Sequence, residues 1–204
     1  MAQLFTPTTY FTLAEQSIGE GLFKEKGSKF LSFAYHVKTE EDVKNYLAQL
    51  KKKYFDATHH CYAYQLGVEL VYQRANDDGE PNGTAGLPIL NQIKSKKLTY
   101  TLVVVVRYYG GTKLGASGLV SAYKTATQLA LDNATVIEKM LTKTVHIEFD
   151  YLAMNEVMKV IKDEELKILA QNFDNQCSMT LEIPKKVWEQ CQEKLSTCAT
   201  LLNL

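Results

Sequence analysis

Glycine is absent from the last 86 of the chain's 204 residues, although eleven glycines precede them and eight fall between Gly67 and Gly118. Glycine supplies left-handed backbone and close approach. Its absence excludes permissive loops from the C-terminal stretch and concentrates them just before it. Cysteine is scarce: the four, at 61, 177, 191 and 198, form no Cys-x-x-Cys pair and fit neither a zinc knuckle nor a disulfide framework. They read as reduced thiols of a cytoplasmic protein. No apolar run approaches the roughly 20 residues of a membrane helix; the strongest is Leu102 to Val106. The opening MAQLFTPTTYFTLAEQS has neither the basic region nor the apolar core of a secretory signal. No membrane partner is therefore expected. Net charge is missing too, since Lys+Arg and Asp+Glu both total 23. Any nucleic-acid binding must come from a local patch. The imbalance of +3 over residues 1–134 against −3 over 135–204 is too small to assign one.

What is present reads as an α/β (α+β) chain in two domains, 1–134 and 135–204. Residues 29–37 form a strand, and Thr39 caps a helix over 40–53 whose Val43, Tyr46, Leu47 and Leu50 follow the 3.6 period. Residues 59–66 and 68–74 read as a hairpin joined at Gly67. A polar loop over 76–83 leads to a helix from Thr84 to about Lys94. Residues 99–107 carry four valines in a row and read as a strand buried on both faces. A second glycine-rich loop, 108–118, opens a helix reaching about Asn133. The glycine-free part reads β-α-β-β-α-β, with strands at 141–149, 168–173 and 176–183 and a short one at the end. Asp150 caps the first helix, whose stripe is Leu152, Val157, Val160 and Ile161. A turn stands at Asp174-Asn175, and Pro184 opens the second helix. That order predicts a ferredoxin-like two-layer sandwich.

Chemistry concentrates in the two loops. In the first, Asp77, Asp78 and Glu80 stand among Gly79, Pro81 and Gly83. A calcium loop fails, because placing Gly79 at the turn sets Arg74 at the first ligand and Ala85 at the bidentate one. Two readings remain: an acidic, solvent-reachable rim that helps hold Mg²⁺ on a phosphate ligand, or turn chemistry with Thr84 capping the next helix. In the second loop, Arg107 and Lys113 supply positive charge. Tyr108 and Tyr109 offer rings to stack on bases, and Gly110, Gly111, Gly115 and Ser117 lead into a helix start. Neither standard phosphate fingerprint fits, since Ala116 follows Gly115 where a P-loop needs Lys. An anion site and a plain tight turn both stay open. On the strand at 59–66, His59 and Cys61 share a face and His60 does not, so His59 is the histidine able to meet the loops. No metal-ligand set is expected. The basic clusters at 51–53 and at Lys94, Lys96 and Lys97 read first as solvated faces.

Three stretches carry a resemblance. They are Ala57-Thr58-His59; then Asp78-Gly79-Glu80-Pro81-x-Gly83-Thr84-Ala85-Gly86-x-Pro88; then Val105-Val106-Arg107-Tyr108-Tyr109-Gly110-Gly111-x-x-Leu114-Gly115-x-x-Gly118-Leu119-Val120-x-Ala122-Tyr123. In order and spacing they resemble the YigZ/IMPACT family over about residues 18–130. The eukaryotic members carry an additional N-terminal RWD domain, so the resemblance is to the bacterial type. It implies an N-terminal domain folded like domain four of elongation factor G and the GHMP kinases, and a C-terminal domain like domain five of that factor. It also implies a translation-linked role with RNA or the ribosome as partner, since the eukaryotic relatives regulate translation by competing for an activator of a stress kinase. The kinase kinship implies the alternative, a protein binding a small phosphorylated ligand or nucleotide with Mg²⁺. No other cofactor is expected.

Overall fold

The structure is a computed structural model and describes residues 8–203 apart from residue 175, so the expected turn at Asp174-Asn175 lies partly outside the described residues. Two compact units result. The larger spans Tyr10–Glu138, and the smaller runs from Lys139 onward together with Thr8 and Thr9. The division falls between Glu138 and Lys139, within a strand, β7 (Val136–Met140). β7 forms a two-stranded sheet with β1 (Thr9–Leu13). Among the described residues no helix is long and apolar enough to cross a membrane.

The larger unit is built on a five-stranded antiparallel sheet. In spatial order its strands are β2 (Gly19–Glu25), β3 (Ser28–His36), β6 (Thr101–Tyr108), β4 (His59–Leu66) and β5 (Tyr72–Asn76). Central β6 is buried on both faces, as its valine run predicts. Leu102, Val104 and Val106 pack towards α1 (Glu40–Lys53) with Phe33, Tyr64 and Val43. Val103 and Val105 pack towards α2 (Gly86–Ser95) and α3 (Gly115–Asp132) with Phe30, Ile89 and Tyr123. Strand periodicity sends alternate residues to opposite faces, so one apolar run serves two helix layers. Helix α1 opens with the expected Thr39 cap. Asp42 N–H donates to Thr39 Oγ1 (3.1 Å), and Thr39 N–H donates back to the Asp42 carboxylate (2.9 Å).

Strands β1 and β2 were not legible in sequence. Gly19 and Gly21 weaken any strand pattern there, and the structure shows why they stand in one. A Cβ at Gly19 would fall 2.1 Å from the Ala130 carbonyl oxygen, so α3 crosses β2 at backbone contact. Lys26 and Gly27, both at positive φ (45° and 81°), close β2 onto β3 as a two-residue hairpin turn. The β4–β5 hairpin also differs from expectation. β5 begins at Tyr72, not 68, and the connection is correspondingly longer.

The smaller unit matches its expected order: β8 (Thr142–Phe149), α4 (Met154–Asp163), β9 (Lys167–Phe173), β10 (Cys177–Pro184), α5 (Trp188–Ser196) and β11 (Thr200–Asn203). The sheet order β11-β8-β10-β9, antiparallel throughout, is the ferredoxin-like arrangement. Val145, Ile147, Met179, Leu181 and Ile183 alternate inward and meet Val157, Ile161, Cys191 and Leu195 from the helices. Three details are corrected. Pro184 closes β10 and a 3-10 turn over Lys185–Val187 follows it, so the second helix opens at Trp188 and not at the proline. Asp150 makes no side-chain cap, because a 3-10 turn over Tyr151–Ala153 intervenes before α4. That turn also leaves Leu152 at 95% exposure instead of on the buried stripe.

Candidate functional site

The residue after the valines sets the site. Arg107 has the same parity on β6 as Val103 and Val105, so it points to the α3 face and is only 5% exposed. It pairs across the sheet with Phe30 on one side and His59 on the other. Its guanidinium lies 5.3 Å from the Phe30 ring centroid. Nη1 donates to Glu80 Oε1 at 2.5 Å, and Tyr123 from α3 donates its hydroxyl to the same oxygen at 2.8 Å. Arg107 was expected as an exposed charge at the loop mouth and Glu80 as part of an acidic rim. Both are corrected: Arg107 ends the expected strand, but its parity turns the side chain inward, where Glu80 meets it in a buried ion pair. Behind the pair, Cys61 Sγ lies 3.2 Å from the Tyr123 hydroxyl and 3.0 Å from the Asp77 carbonyl oxygen. Burial pushes both the Cys61 thiol and the Tyr123 phenol up, and they stay protonated at neutral pH.

The other two carboxylates also turn inward. Asp77 accepts from the backbone N–H of Gly83 (2.9 Å), Ala85 (3.0 Å) and Gly86 (2.8 Å). It therefore does the capping of α2 that Thr84 was expected to do; the Thr84 hydroxyl donates instead to the Pro81 carbonyl at 2.6 Å. Burial pushes the Asp77 carboxyl up, but these three N–H groups outweigh it and hold the carboxyl below its ordinary value. Asp78 accepts from the His60 N–H at 2.6 Å, while Asn76 Oδ1 takes the Asp78 N–H at 2.8 Å and Asp78 itself adopts positive φ (43°). The expected solvent-reachable rim is thus three separate structural anchors. Among the described residues no cluster of three His, Cys, Asp or Glu side chains is arranged to hold a metal ion.

Between the loops lies a cleft of about 510 Å³. Its buried side holds Arg107 and Glu80. Thr58 and His59 line it from β4, Tyr109 and Lys113 from the second loop, and Leu114, Gly115 and Ala116 from the start of α3. His59 faces this cleft, as its shared parity with Cys61 predicts. Its Nδ1 lies 2.8 Å from the Asp78 carbonyl oxygen. A carbonyl can only accept, so Nδ1 carries the hydrogen and the neutral ring keeps its lone pair on Nε2. Nε2 stands 3.8 Å from Glu80 Oε1. Helix α3 begins at Gly115 (φ 74°), three residues earlier than expected, with no side-chain cap and no acidic residue in its first turn. Its first N–H groups are left for solvent or a ligand.

Of the expected anion-binding residues, Arg107, Tyr109, Lys113 and Gly115 line the cleft. Tyr109 is exposed with its ring 5.5 Å from the Arg107 guanidinium. Tyr108 is placed elsewhere: one residue on, it turns to the α1 face and donates to Asp56 at 2.8 Å. Gly110 serves packing, since a Cβ there would fall 1.9 Å from the Gly27 carbonyl carbon. Gly111 supplies positive φ (84°) in the turn, and Ser117 is exposed on α3 outside the lining. Sequence reasoning missed Tyr123, whose hydroxyl on an otherwise alanine- and leucine-rich inner face was the available signal. It also missed Lys26, which required the β2–β3 hairpin to be seen.

A sheet-and-helix unit whose loops border a cleft, joined to a ferredoxin-like unit, defines a two-domain α/β protein. Residues 26–131 match the Impact N-terminal domain. The chain is 33% identical over 178 residues to IMPACT family member YvyE of Bacillus subtilis (strain 168), covering 87% of this chain and 81% of that one. It is 32% identical over 160 residues to IMPACT family member YigZ of Escherichia coli (strain K12), covering 78% of each. A crystal structure described as a hypothetical protein superposes with a TM-score of 0.73 at 26% identity, over 97% of this chain and 98% of its own. The chain belongs to the IMPACT family.

Proposed function

We propose that this protein is a translation-linked regulator that binds RNA, on or off the ribosome, at the mouth of the cleft. The observation that carries the reading is that exposed Lys113 and Tyr109 line the cleft beside the uncapped start of α3. Lys26 sits in the β2–β3 turn, which packs on Gly110 of the second loop. Lys51, at the end of α1, reaches to 3.9 Å from Asp78 of the first loop. Lys113 lines the cleft itself. With Arg107 neutralised by Glu80, these lysines and the uncapped start of α3 supply the positive potential, and exposed Tyr109 supplies a ring for a base. The translation link rests on family kinship.

The test is a salt titration of single-stranded RNA and of ribosomes. Three phosphates neutralised give a log–log slope near about −2 for single strands. Lys113→Ala should weaken binding to every sequence alike and flatten the slope by roughly 0.7. Absence of binding by the unmodified protein at low salt defeats the RNA reading. The cleft's volume favours a second reading, because about 510 Å³ falls in the range of small-molecule sites. A small phosphorylated ligand should then raise the melting temperature by mass action, scanned over nucleotides and sugar phosphates with and without Mg²⁺.

A further inference from the structure

We propose that the cleft recognises a phosphate monoester, and that His59 and Lys113 are the side chains that grip it. The proposal rests on the anion-binding reading of this cleft and names the chemistry it selects. An internal phosphodiester carries one charge and a chain leaving on both sides. A monoester carries up to two charges at neutral pH and a single attachment. The cleft suits the second. Its inner end is closed by the buried Arg107–Glu80 pair, whose side chains are 6% and 4% exposed, so a strand cannot thread past it.

The charge balance points the same way. Glu80 is already matched by Arg107 and hydrogen-bonded by Tyr123, leaving Lys113 as uncompensated charge in the lining. The His59 ring is fixed by the bond its Nδ1–H donates to the Asp78 carbonyl, and its Nε2 lone pair can accept from the P–OH of a singly protonated monoester, a donor an internal diester lacks. Gly115 and Ala116 bring backbone N–H groups of an uncapped 18-residue helix to the same space. Independently, Arg107 lines the cleft with its Nε buried and lacking any hydrogen-bond partner. Its Nη1 and Nη2 are held by Glu80 and Ser28, so the guanidinium is the fixed floor on which Lys113 and the helix start are set.

The experiment compares one RNA oligonucleotide bearing a 5′-phosphate, the same oligonucleotide with a 5′-hydroxyl, a 3′-phosphorylated version, and adenosine monophosphate alone. Binding is followed by fluorescence anisotropy or calorimetry. The expected result is a preference of about tenfold for a phosphorylated end, the size of one added charge-assisted contact. Lys113→Ala and His59→Ala should each erase that preference. Lys113 is exposed, so its variant keeps the test interpretable if His59→Ala loosens the loop. Equal affinity for phosphorylated and hydroxyl ends overturns the proposal while leaving RNA binding intact. Binding of adenosine monophosphate without binding of any oligonucleotide supports the proposal and defeats the RNA reading. A preference that survives both substitutions overturns it.

Discussion

The two units differ in what they bury. Every buried polar or charged residue among those described lies in the larger unit, from Thr12 to Thr127, with Glu80 and Arg107 in its interior. The smaller unit's core is Val, Ile, Leu, Met, Phe and Cys from strands and helices that alternate regularly. Burying polar groups is costly unless each finds a partner. The larger unit meets that cost with loop backbone: Asp77, Asp78 and His59 are all held by carbonyl or N–H groups on or beside the 76–86 segment. Among the described residues the smaller unit has no such network, and neither α4 nor α5 has a side-chain cap. A scaffold that packs by apolar alternation stands beside one that spends buried hydrogen bonds to fix a cleft.

The severest way to break that contrast is to remove Arg107. Arg107→Ala leaves the Glu80 carboxylate buried with Tyr123 as its remaining donor, and stranding one partner of a buried pair costs about 3–5 kcal/mol. Urea denaturation should show that loss in the larger unit. Arg107→Met with Glu80→Met together should recover most of it, because an apolar pair of similar volume avoids the stranded charge. If Arg107→Ala alone leaves the midpoint unchanged, the buried pair is not what holds the two loops together.

This contrast also explains what could be seen in the sequence. The smaller unit's order was legible because strict alternation and 3.6 periodicity determine where each side chain goes. Its misses, Asp150, Leu152 and Pro184, sit at two 3-10 turns where neither period applies. In the larger unit the sequence located both loops, the parity of His59 and Cys61, and the doubly buried β6. It placed Arg107 at the end of that strand but did not reveal that its side chain is buried, because the partner that makes burial possible, Glu80, comes from a loop 27 residues away in sequence. Nor did it reveal the destinations of Asp77, Asp78 and Glu80. Three carboxylates beside three glycines fit an exposed rim as well as a set of caps, and only the close approach of α2 to that segment decides between them.

A smaller effect is expected at Asp77. Its carboxylate caps α2 through three N–H groups, and losing such a cap costs about 0.5–2 kcal/mol. The carboxyl is held below its ordinary value in the folded state. Its contribution is therefore complete above the unfolded value, near about 3.9, and is lost as pH falls through the lowered folded one. Denaturation followed from pH 7 downward should show Asp77→Ala less stable than the unmodified protein at neutral pH, with the two curves converging in acid. Parallel curves would mean that the cap works without its charge.

The smallest effect tests whether every glycine of the larger unit is spoken for. Gly19 and Gly110 sit against backbone at distances no Cβ tolerates, and Gly27, Gly79 and Gly115 hold positive φ. Gly118 does neither. It lies inside α3, and the nearest atom to an added Cβ is Leu114 Cβ at 3.2 Å, one turn back in the half-buried lining of the cleft. Alanine in a helix interior is favoured over glycine by roughly 0.5–1 kcal/mol. Because Leu114 Cβ moves only with its backbone, the contact asks the N-cap of α3 to yield by a few tenths of an ångström, which its position at the edge of an exposed loop allows. Gly118→Ala is therefore expected to stabilise the larger unit by about 0.5 kcal/mol, read as a higher midpoint at unchanged slope in urea. Binding of phosphorylated RNA should change little, because Lys113 and the first N–H groups of α3 keep their places. A destabilised variant, or one that folds well and no longer binds, would show that Leu114 has no such freedom and that Gly118 exists to set the width of the cleft.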